Sequence, residues 1–129
     1  MDKKANPAPG FQRNPAHTIT VKPFDGTVTV SFDDTVIAAS GRAQLLQEAG
    51  HPPVLYVPFA DIRFEALKPS DTSTHCPYKG DAGYWSADTG GEIRKVVMWA
   101  YQAPYDEMLV IKDHGAFYPD RVTIEATPT

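Results

Sequence analysis

The stretch Thr27-Val28-Thr29-Val30-Ser31-Phe32 decides the fold class, because its polar and apolar residues alternate strictly. Period-2 alternation predicts a β-strand with one buried face and one solvated face. Asp25-Gly26 before the stretch and Asp33-Asp34 after it are turn signals. Residues 18–22 and 35–39 also have strand patterns, so we predict that the three runs form an antiparallel meander.

The rest of the chain repeats this pattern of short apolar runs between turn residues. We predict further strands over residues 54–57, 84–86, 96–102, 109–111, 116–118 and 122–126, with a turn at Gly90-Gly91. Three stretches are less regular: residues 42–49 fit a strand or a short helix, 61–67 a turn or a short strand, and 68–81 a long loop. Residues 96–101 are apolar on both faces, which is typical of a strand buried between two layers. We therefore predict a mainly β fold, a compact sandwich or partly closed barrel of roughly eight to ten short strands with at most short helices.

The length of 129 residues corresponds to a single domain. Pro7, Pro9 and Pro15 lie among small and polar residues near the beginning of the chain. We expect residues 1–16 to form an extended, partly mobile N-terminal arm and residues 17–129 to form the single β domain.

Charge and cysteine content exclude several classes of protein. The formal net charge of −4 argues against a nucleic-acid or membrane partner, and no apolar run is long enough for a membrane span. We also expect no signal peptide, since the first residues are not followed by an apolar stretch. A single cysteine, Cys76, forms no internal disulfide and suggests a reducing, cytoplasmic location. We expect a monomer or a homodimer.

The segment from Ser73 to Gly80 combines an imidazole, a thiol and an ammonium group within five positions. Cationic neighbours stabilise a thiolate, so Cys76 and Lys79 are candidate catalytic residues. In the alternative interpretation, Cys76 is a small buried residue and Lys79 points to solvent. Asp61 follows a predicted strand end, where side chains often enter a pocket, and is a third catalytic candidate.

Aromatic residues are concentrated in the second half of the chain, and most of them are expected in the core. A pocket lined by Tyr hydroxyls, an Arg and a Lys would also suit a planar or anionic small molecule. The candidate ligand-binding residues are Arg42, Tyr56, Tyr84, Trp99 and Tyr101. His17, His51, His75 and His114 lack metal-site spacing, so we predict no metal ligands and no structural zinc.

Several ordered elements resemble the bacterial family catalogued as domain of unknown function 427. They are Val36 to Ser40 with Arg42-Ala43, Tyr56-x-Pro58-x-x-Asp61, Thr74 to Gly80 with Tyr84-Trp85, Trp99-x-Tyr101-x-x-Pro104, and Ala116-Phe117-Tyr118 with Arg121-Val122. The resemblance covers about residues 18–126. It implies a β-tent, in which two antiparallel sheets meet along one side and enclose a cleft. Relatives with this architecture that bind zinc use paired Cys-x-x-Cys motifs, which this chain lacks.

The resemblance also directs the functional hypotheses. It implies a small-molecule site in the cleft between the sheets, centred on the loop from Cys76 to Gly80. Cys76 would be a nucleophile or redox-sensitive thiol, Lys79 would lower its pKa or bind an anion, and Asp61 would orient a donor or act as a base. The alternative is a non-catalytic ligand- or protein-binding module in which Cys76 is structural. A third hypothesis, nucleotidyltransferase-like activity, comes from a label attached to the family, so the sequence leaves open whether the protein is an enzyme and which cofactor it uses.

Overall fold

The computed structural model describes residues 5–88 and 95–129. Within these residues, ten strands and one short α-helix are joined by turns and 3-10 helices. The elements are α1 Pro9–Arg13, β1 Ile19–Pro23, β2 Gly26–Phe32, β3 Thr35–Ser40, β4 Gln44–Glu48, β5 Val54–Pro58, β6 Leu67–Cys76, β7 Gly80–Ala87, β8 Val96–Ala100, β9 His114–Phe117 and β10 Thr123–Pro128, with 3-10 helices at Phe59–Asp61, Phe64–Ala66 and Asp106–Ile111. The predicted turn at Gly90-Gly91 lies outside the described residues.

The strands form two open antiparallel sheets, which confirms the prediction of a mainly β fold. Seven strands follow the order β1-β4-β5-β9-β8-β7-β6, and three follow the order β10-β2-β3. Over the part of the chain that the structure describes, the strands do not close into a barrel. The large sheet narrows at its centre, because β5 pairs with β9 at just two described positions, Val57 with Gly115 and Pro58 with His114.

The predicted meander is half correct. The hairpin between β2 and β3 is confirmed, and its turn residues Asp33 and Asp34 both have positive φ, as a tight two-residue hairpin turn requires. The expectation that β1 pairs with β2 is wrong, because β1 pairs with β4 in the other sheet. Alternation identifies a strand and its buried face but not its partner, which depends on the apolar surfaces that the folded chain brings together.

In two other stretches the structure resolves an open alternative or contradicts the prediction from the sequence. Within residues 42–49, Gln44–Glu48 forms strand β4, so the helical alternative is wrong. The predicted loop over residues 68–81 is wrong, since β6 and β7 form a hairpin there. Because β6 is an edge strand, it accommodates Pro69 and a bulge and exposes most of its side chains.

The predicted strand over residues 109–111 is also wrong. This segment belongs to the 3-10 helix Asp106–Ile111, in which Met108 and Ile111 are buried while Leu109 and Val110 are exposed. The i, i+3 spacing of the two buried residues matches the three residues per turn of a 3-10 helix.

The two faces of the seven-stranded sheet bury different clusters of side chains. The face that we call the core face packs Val57 and Met98 against Val28 and Ile37 of the three-stranded sheet. The opposite face, which we call the cleft face, carries the cluster of Leu46, Tyr56, Ala82, Tyr101, Met108, Ile111 and Ala116, with Trp99 and Cys76 packed against it. Strand alternation explains the division, because Tyr56 and Val57 are neighbours that point to opposite faces.

The N-terminal segment packs onto the cleft face. Gly10 N–H donates to the Pro77 carbonyl at 2.9 Å, and the Phe11 ring meets the Tyr78 ring edge to face at 5.0 Å. A Cβ at Gly10 would lie 2.7 Å from the Tyr78 ring, so the close approach requires glycine. Part of the predicted extended arm therefore forms helix α1 and covers the turn between β6 and β7.

Candidate functional site

A cavity of about 680 Å³ opens at the point where strands β5 and β9 separate. Continuing their two-residue pairing would set Leu55 opposite Phe117, but both side chains line the cavity instead. The lining comes mostly from the large sheet, with Ile124 from the small sheet, and is mainly apolar: Leu46, Pro52, Pro53, Val54, Leu55, Tyr56, Trp99, Tyr101, Phe117, Pro119 and Ile124. The remaining lining residues are Glu48, His51, Cys76 and Lys79.

A cluster of charged and titratable groups is centred on Glu48, and three of its members, Glu48, Lys79 and His51, line the cavity. Lys79 Nζ donates to Glu48 Oε1 at 2.6 Å, and His17 Nε2 lies 2.8 Å from Glu48 Oε2. His51 Nε2 lies 3.9 Å from the same Oε2 atom. The Lys79 and Glu48 side chains are only 10% and 12% exposed, so this is a largely desolvated ion pair.

Burial and hydrogen bonding act in opposite directions on the charge of Glu48. Burial raises the pKa of its carboxyl, but hydrogen bonds from Lys79 and His17 and the nearby charges lower the pKa more, so the net shift is downward. Burial also raises the pKa of Tyr56 and Tyr101 above the ordinary tyrosine value. At neutral pH the Glu48 carboxyl is therefore ionised and the two phenols are neutral.

Local backbone structure positions the ion pair from both sides. Leu46 and Glu48 are two residues apart in β4, so both point to the cleft face. Lys79 lies in the tight turn that joins β6 and β7, followed by Gly80 at φ 117°, a conformation that favours glycine. His17 stacks on Tyr78 with ring centroids 4.2 Å apart, so the N-terminal segment and this turn hold the imidazole against Glu48.

Five of the eight residues selected from the sequence line the cavity: Tyr56, Cys76, Lys79, Trp99 and Tyr101. Trp99 Nε1 donates to the Tyr56 hydroxyl at 3.3 Å, which ties the aromatic walls of β8 and β5 together. Cys76 is half-buried and is the last residue of β6. The structure thus brings Cys76 and Lys79 to one cleft, as the sequence segment from Ser73 to Gly80 suggested.

Arg42 and Asp61 lie outside the cavity lining and bind each other. Arg42 donates from Nη2 to Asp61 Oδ1 at 3.0 Å and from Nε to Asp61 Oδ2 at 3.3 Å. Ser40 Oγ donates to the same Oδ2 at 2.6 Å. These contacts connect the end of β3 to the 3-10 helix Phe59–Asp61, so both side chains engage each other at a distance from the cleft residues.

Two further residues of the sequence analysis, Tyr84 on the cleft face and His75, lie outside the cavity lining. The Tyr84 hydroxyl lies 2.7 Å from Thr74 Oγ1 and is not among the cavity-lining groups. His75 is adjacent to Cys76 but faces the opposite side of β6, where its Nδ1 lies 2.7 Å from Asp81 Oδ1 and its Nε2 lies 3.3 Å from the Tyr105 hydroxyl. Strand alternation therefore separates the imidazole of His75 from the thiol of Cys76.

The residue that organises the site, Glu48, was missed by the sequence analysis. It lies in the stretch whose helix or strand character was open, and a helix would have set Leu46 and Glu48 on different faces. The strand alternative contains the signal, because Leu46 and Glu48 then share a face. His17 and His51 were considered as metal ligands rather than as partners of a carboxylate.

Metal and membrane features were searched over residues 5–88 and 95–129. In these residues, no group of three or more His, Cys, Asp and Glu side chains is placed to hold a metal ion. No described helix combines the length and apolarity that crossing a membrane requires.

Fold and site define a class of protein: a small domain of two open antiparallel sheets, with a largely apolar cleft that holds a desolvated ion pair. The chain belongs to the family described as Domain of unknown function (DUF427), whose model matches residues 20–127. The resemblance noted in the sequence is thereby confirmed. No curated protein matches the chain.

Proposed function

We propose that this protein binds a small molecule with a largely apolar, planar body in the cleft between β5 and β9. The observation that carries the proposal is a cavity of about 680 Å³ that combines aromatic and aliphatic walls with the Glu48–Lys79 pair. Ligand pockets typically measure about 300–1,000 Å³ and contain few polar groups on a mainly apolar surface. The cleft has these two properties.

The aromatic walls favour a flat ligand. Tyr56 and Trp99 meet edge to face with ring centroids 6.4 Å apart, and Tyr101 and Phe117 line the same cavity. Planar rings gain from offset or edge contacts with such side chains beyond the area that they bury. The polar groups lie together on one part of the wall, so they would orient one end of the ligand.

Two naphthalene derivatives, 2-naphthoate and 2-naphthamide, test the proposal because they share a flat apolar body and differ in charge. Protein NMR titration should show that at least one of them perturbs cleft residues. Val54→Trp should weaken this binding at least about tenfold by filling the cavity. The matched control is Val110→Trp, since Val110 is 45% exposed on the 3-10 helix Asp106–Ile111, and its variant should bind normally. Binding of neither probe, or equal binding to both variants, would overturn the proposal.

Thiol-dependent chemistry is a second candidate, because the half-buried thiol of Cys76 lines the same cleft. The contact between Lys79 and Glu48 weakens this candidate, since the carboxylate neutralises the ammonium expected to stabilise a thiolate. The alkylation rate of Cys76 against pH, followed by mass spectrometry, separates the two. Saturation well below about pH 8.5, the ordinary thiol value, would favour thiol chemistry. Absence of reaction before unfolding would leave Cys76 structural.

The other hypotheses from the sequence have less support. A protein- or peptide-binding module stays a prediction, as do nucleotidyl transfer and the cytoplasmic location.

A further inference from the structure

We propose that the ligand of the cleft carries one carboxylate, and that its binding takes up a proton on the imidazoles beside Glu48. This inference rests on the proposed function and adds the chemical class of the ligand. It is carried by Glu48, Lys79 and His51, which line a mainly apolar cavity, and by His17, which lies within hydrogen-bond distance of Glu48.

Lys79 provides the donor that a carboxylate would meet. An ammonium group has three N–H donors, and in the described residues one of them is directed to Glu48 Oε1. The residue is 8% exposed, so a ligand that fills the cleft would displace the remaining water around Nζ. A buried donor without a partner is costly, and a ligand oxygen would replace the lost water.

Glu48, by contrast, is already surrounded by the basic groups of Lys79, His17 and His51. Its Oε1 accepts from Lys79 and its Oε2 lies within hydrogen-bond distance of His17. An amine or guanidinium ligand would therefore compete with contacts that already exist. The polar wall thus favours an acceptor group over a cationic donor.

The charges of the site explain why binding of a carboxylate would take up a proton. Glu48 and Lys79 neutralise each other, so a bound carboxylate would leave one uncompensated negative charge in a low-dielectric cleft. His17 and His51 lie 2.8 and 3.9 Å from Glu48 Oε2, so a proton on either ring would compensate this charge. Imidazole gains a proton at modest cost near neutral pH.

The other titratable groups around Glu48 do not supply this positive charge. The groups that face it are Tyr56 on β5 and Tyr101 after β8, while Cys76 on β6 and Tyr84 on β7 pack against the same cluster. Burial raises the pKa of Tyr56 and Tyr101, so these hydroxyls stay neutral. Tyr78 covers His17 by stacking.

The direction of the pH effect follows from this arrangement. Binding that takes up a proton is favoured where protons are abundant, so the carboxylate should bind tightly at low pH. Its affinity should fall as pH rises, because each binding event must then draw a proton from a more dilute supply. We expect 2-naphthoate to bind at least about thirtyfold more weakly at about pH 8.5 than at about pH 6, and 2-naphthamide to bind equally at both.

Isothermal titration calorimetry of the wild-type chain in phosphate and in Tris counts the protons, because the two buffers differ in ionisation enthalpy. At about pH 7.5 we expect 2-naphthoate, but not 2-naphthamide, to take up close to one proton. Equal affinity for both probes without proton uptake would overturn the inference while the proposed function stands. Binding of neither probe would overturn both.

The variant Glu48→Gln provides a second test, in which the affinity for 2-naphthoate is expected to rise. Removing the negative charge leaves Lys79 uncompensated, so 2-naphthoate should bind more tightly and lose its pH dependence. Asp61→Asn is the matched control, because it removes a hydrogen-bonded carboxylate outside the cleft and should leave both properties unchanged. Weaker binding or a retained pH dependence in folded Glu48→Gln would contradict the proposal.

Discussion

The two faces of the seven-stranded sheet share the same strands but have different chemistry. On the core face, Val57 and Met98 belong to a cluster of buried apolar side chains that includes the three-stranded sheet. On the cleft face, their sequence neighbours Tyr56 and Trp99 border a cavity together with an ion pair and a thiol. The core face therefore stabilises the fold by close packing, and the cleft face carries the polar groups that line the cavity.

The contrast shows how a small domain carries a polar site without losing its core. A buried charge destabilises a fold unless it is paired, and a cavity forfeits packing contacts. The ion pair lies on the cleft face, whereas the cavity is also lined by Leu55, Phe117 and Ile124, which pack with the core-face cluster. The rest of that cluster is closely packed and compensates for both features.

The largest difference between the faces is expected for truncation of a matched pair, Ile37→Ala and Leu46→Ala. The two side chains have the same number of carbon atoms and are 0% and 2% exposed. Ile37 is surrounded by packed side chains, whereas Leu46 borders the cavity and makes fewer contacts to lose. Urea unfolding should show a loss of about 4 kcal/mol for Ile37→Ala and about 2 kcal/mol for Leu46→Ala. Equal losses would mean that the cavity is filled or collapsed in solution.

A smaller effect is expected from acid, and it should act through the cleft face. The pKa of Glu48 is lowered from its ordinary value of 4.5, so its pairing stabilises the fold above that pH, and the stabilisation is lost as pH falls through the lower folded value. Between about pH 6.5 and pH 3 wild-type stability should fall on the order of 1 kcal/mol more than that of Glu48→Gln.

The core face supplies the control for the acid experiment. Ile37 packs among apolar groups, so the free-energy cost of Ile37→Ala should be the same at both pH values. A cost that changes with pH, or a Glu48→Gln variant that is as acid-sensitive as the wild type, would contradict the division between the faces.

The smallest effect is expected for Arg42→Ala. Arg42 binds Asp61 at the surface, with a side chain that is 65% exposed, and neither residue borders the cavity. The affinity of the variant for 2-naphthoate should stay within about twofold of the wild-type value. NMR titration measures it, and a larger loss would restore Arg42 to the ligand-binding residues predicted from the sequence.

Several parts of the fold were predictable because they depend on local pattern. The alternation in residues 27–32 identified β2, and Asp33-Asp34 identified its hairpin turn. The edge strand β6 was not predictable in this way. Its backbone pairs with β7, but most of its side chains are exposed and show no alternating apolar face. The strand predicted over residues 109–111 is a 3-10 helix, because an apolar run of three residues fits both structures equally well.

The site was predictable where its residues lie in one segment. Cys76 and Lys79 are three positions apart, and a short turn keeps them together in the structure. Glu48 and His17 are 31 residues apart, and no local pattern relates them. Arg42 and Asp61 were chosen for residue type and position, but the chain directs them toward each other.

The sequence by itself determined the β class, the strand faces, the family and the segment that carries the thiol and the ammonium, because each depends on residue type and short-range spacing. The tertiary structure alone decided that β1 pairs with β4, that β5 and β9 separate, and that Lys79 meets Glu48. These features require contacts between residues far apart in the chain, and such contacts form where apolar faces pack and buried charges find partners. The cleft and its charge balance are therefore properties of the folded chain.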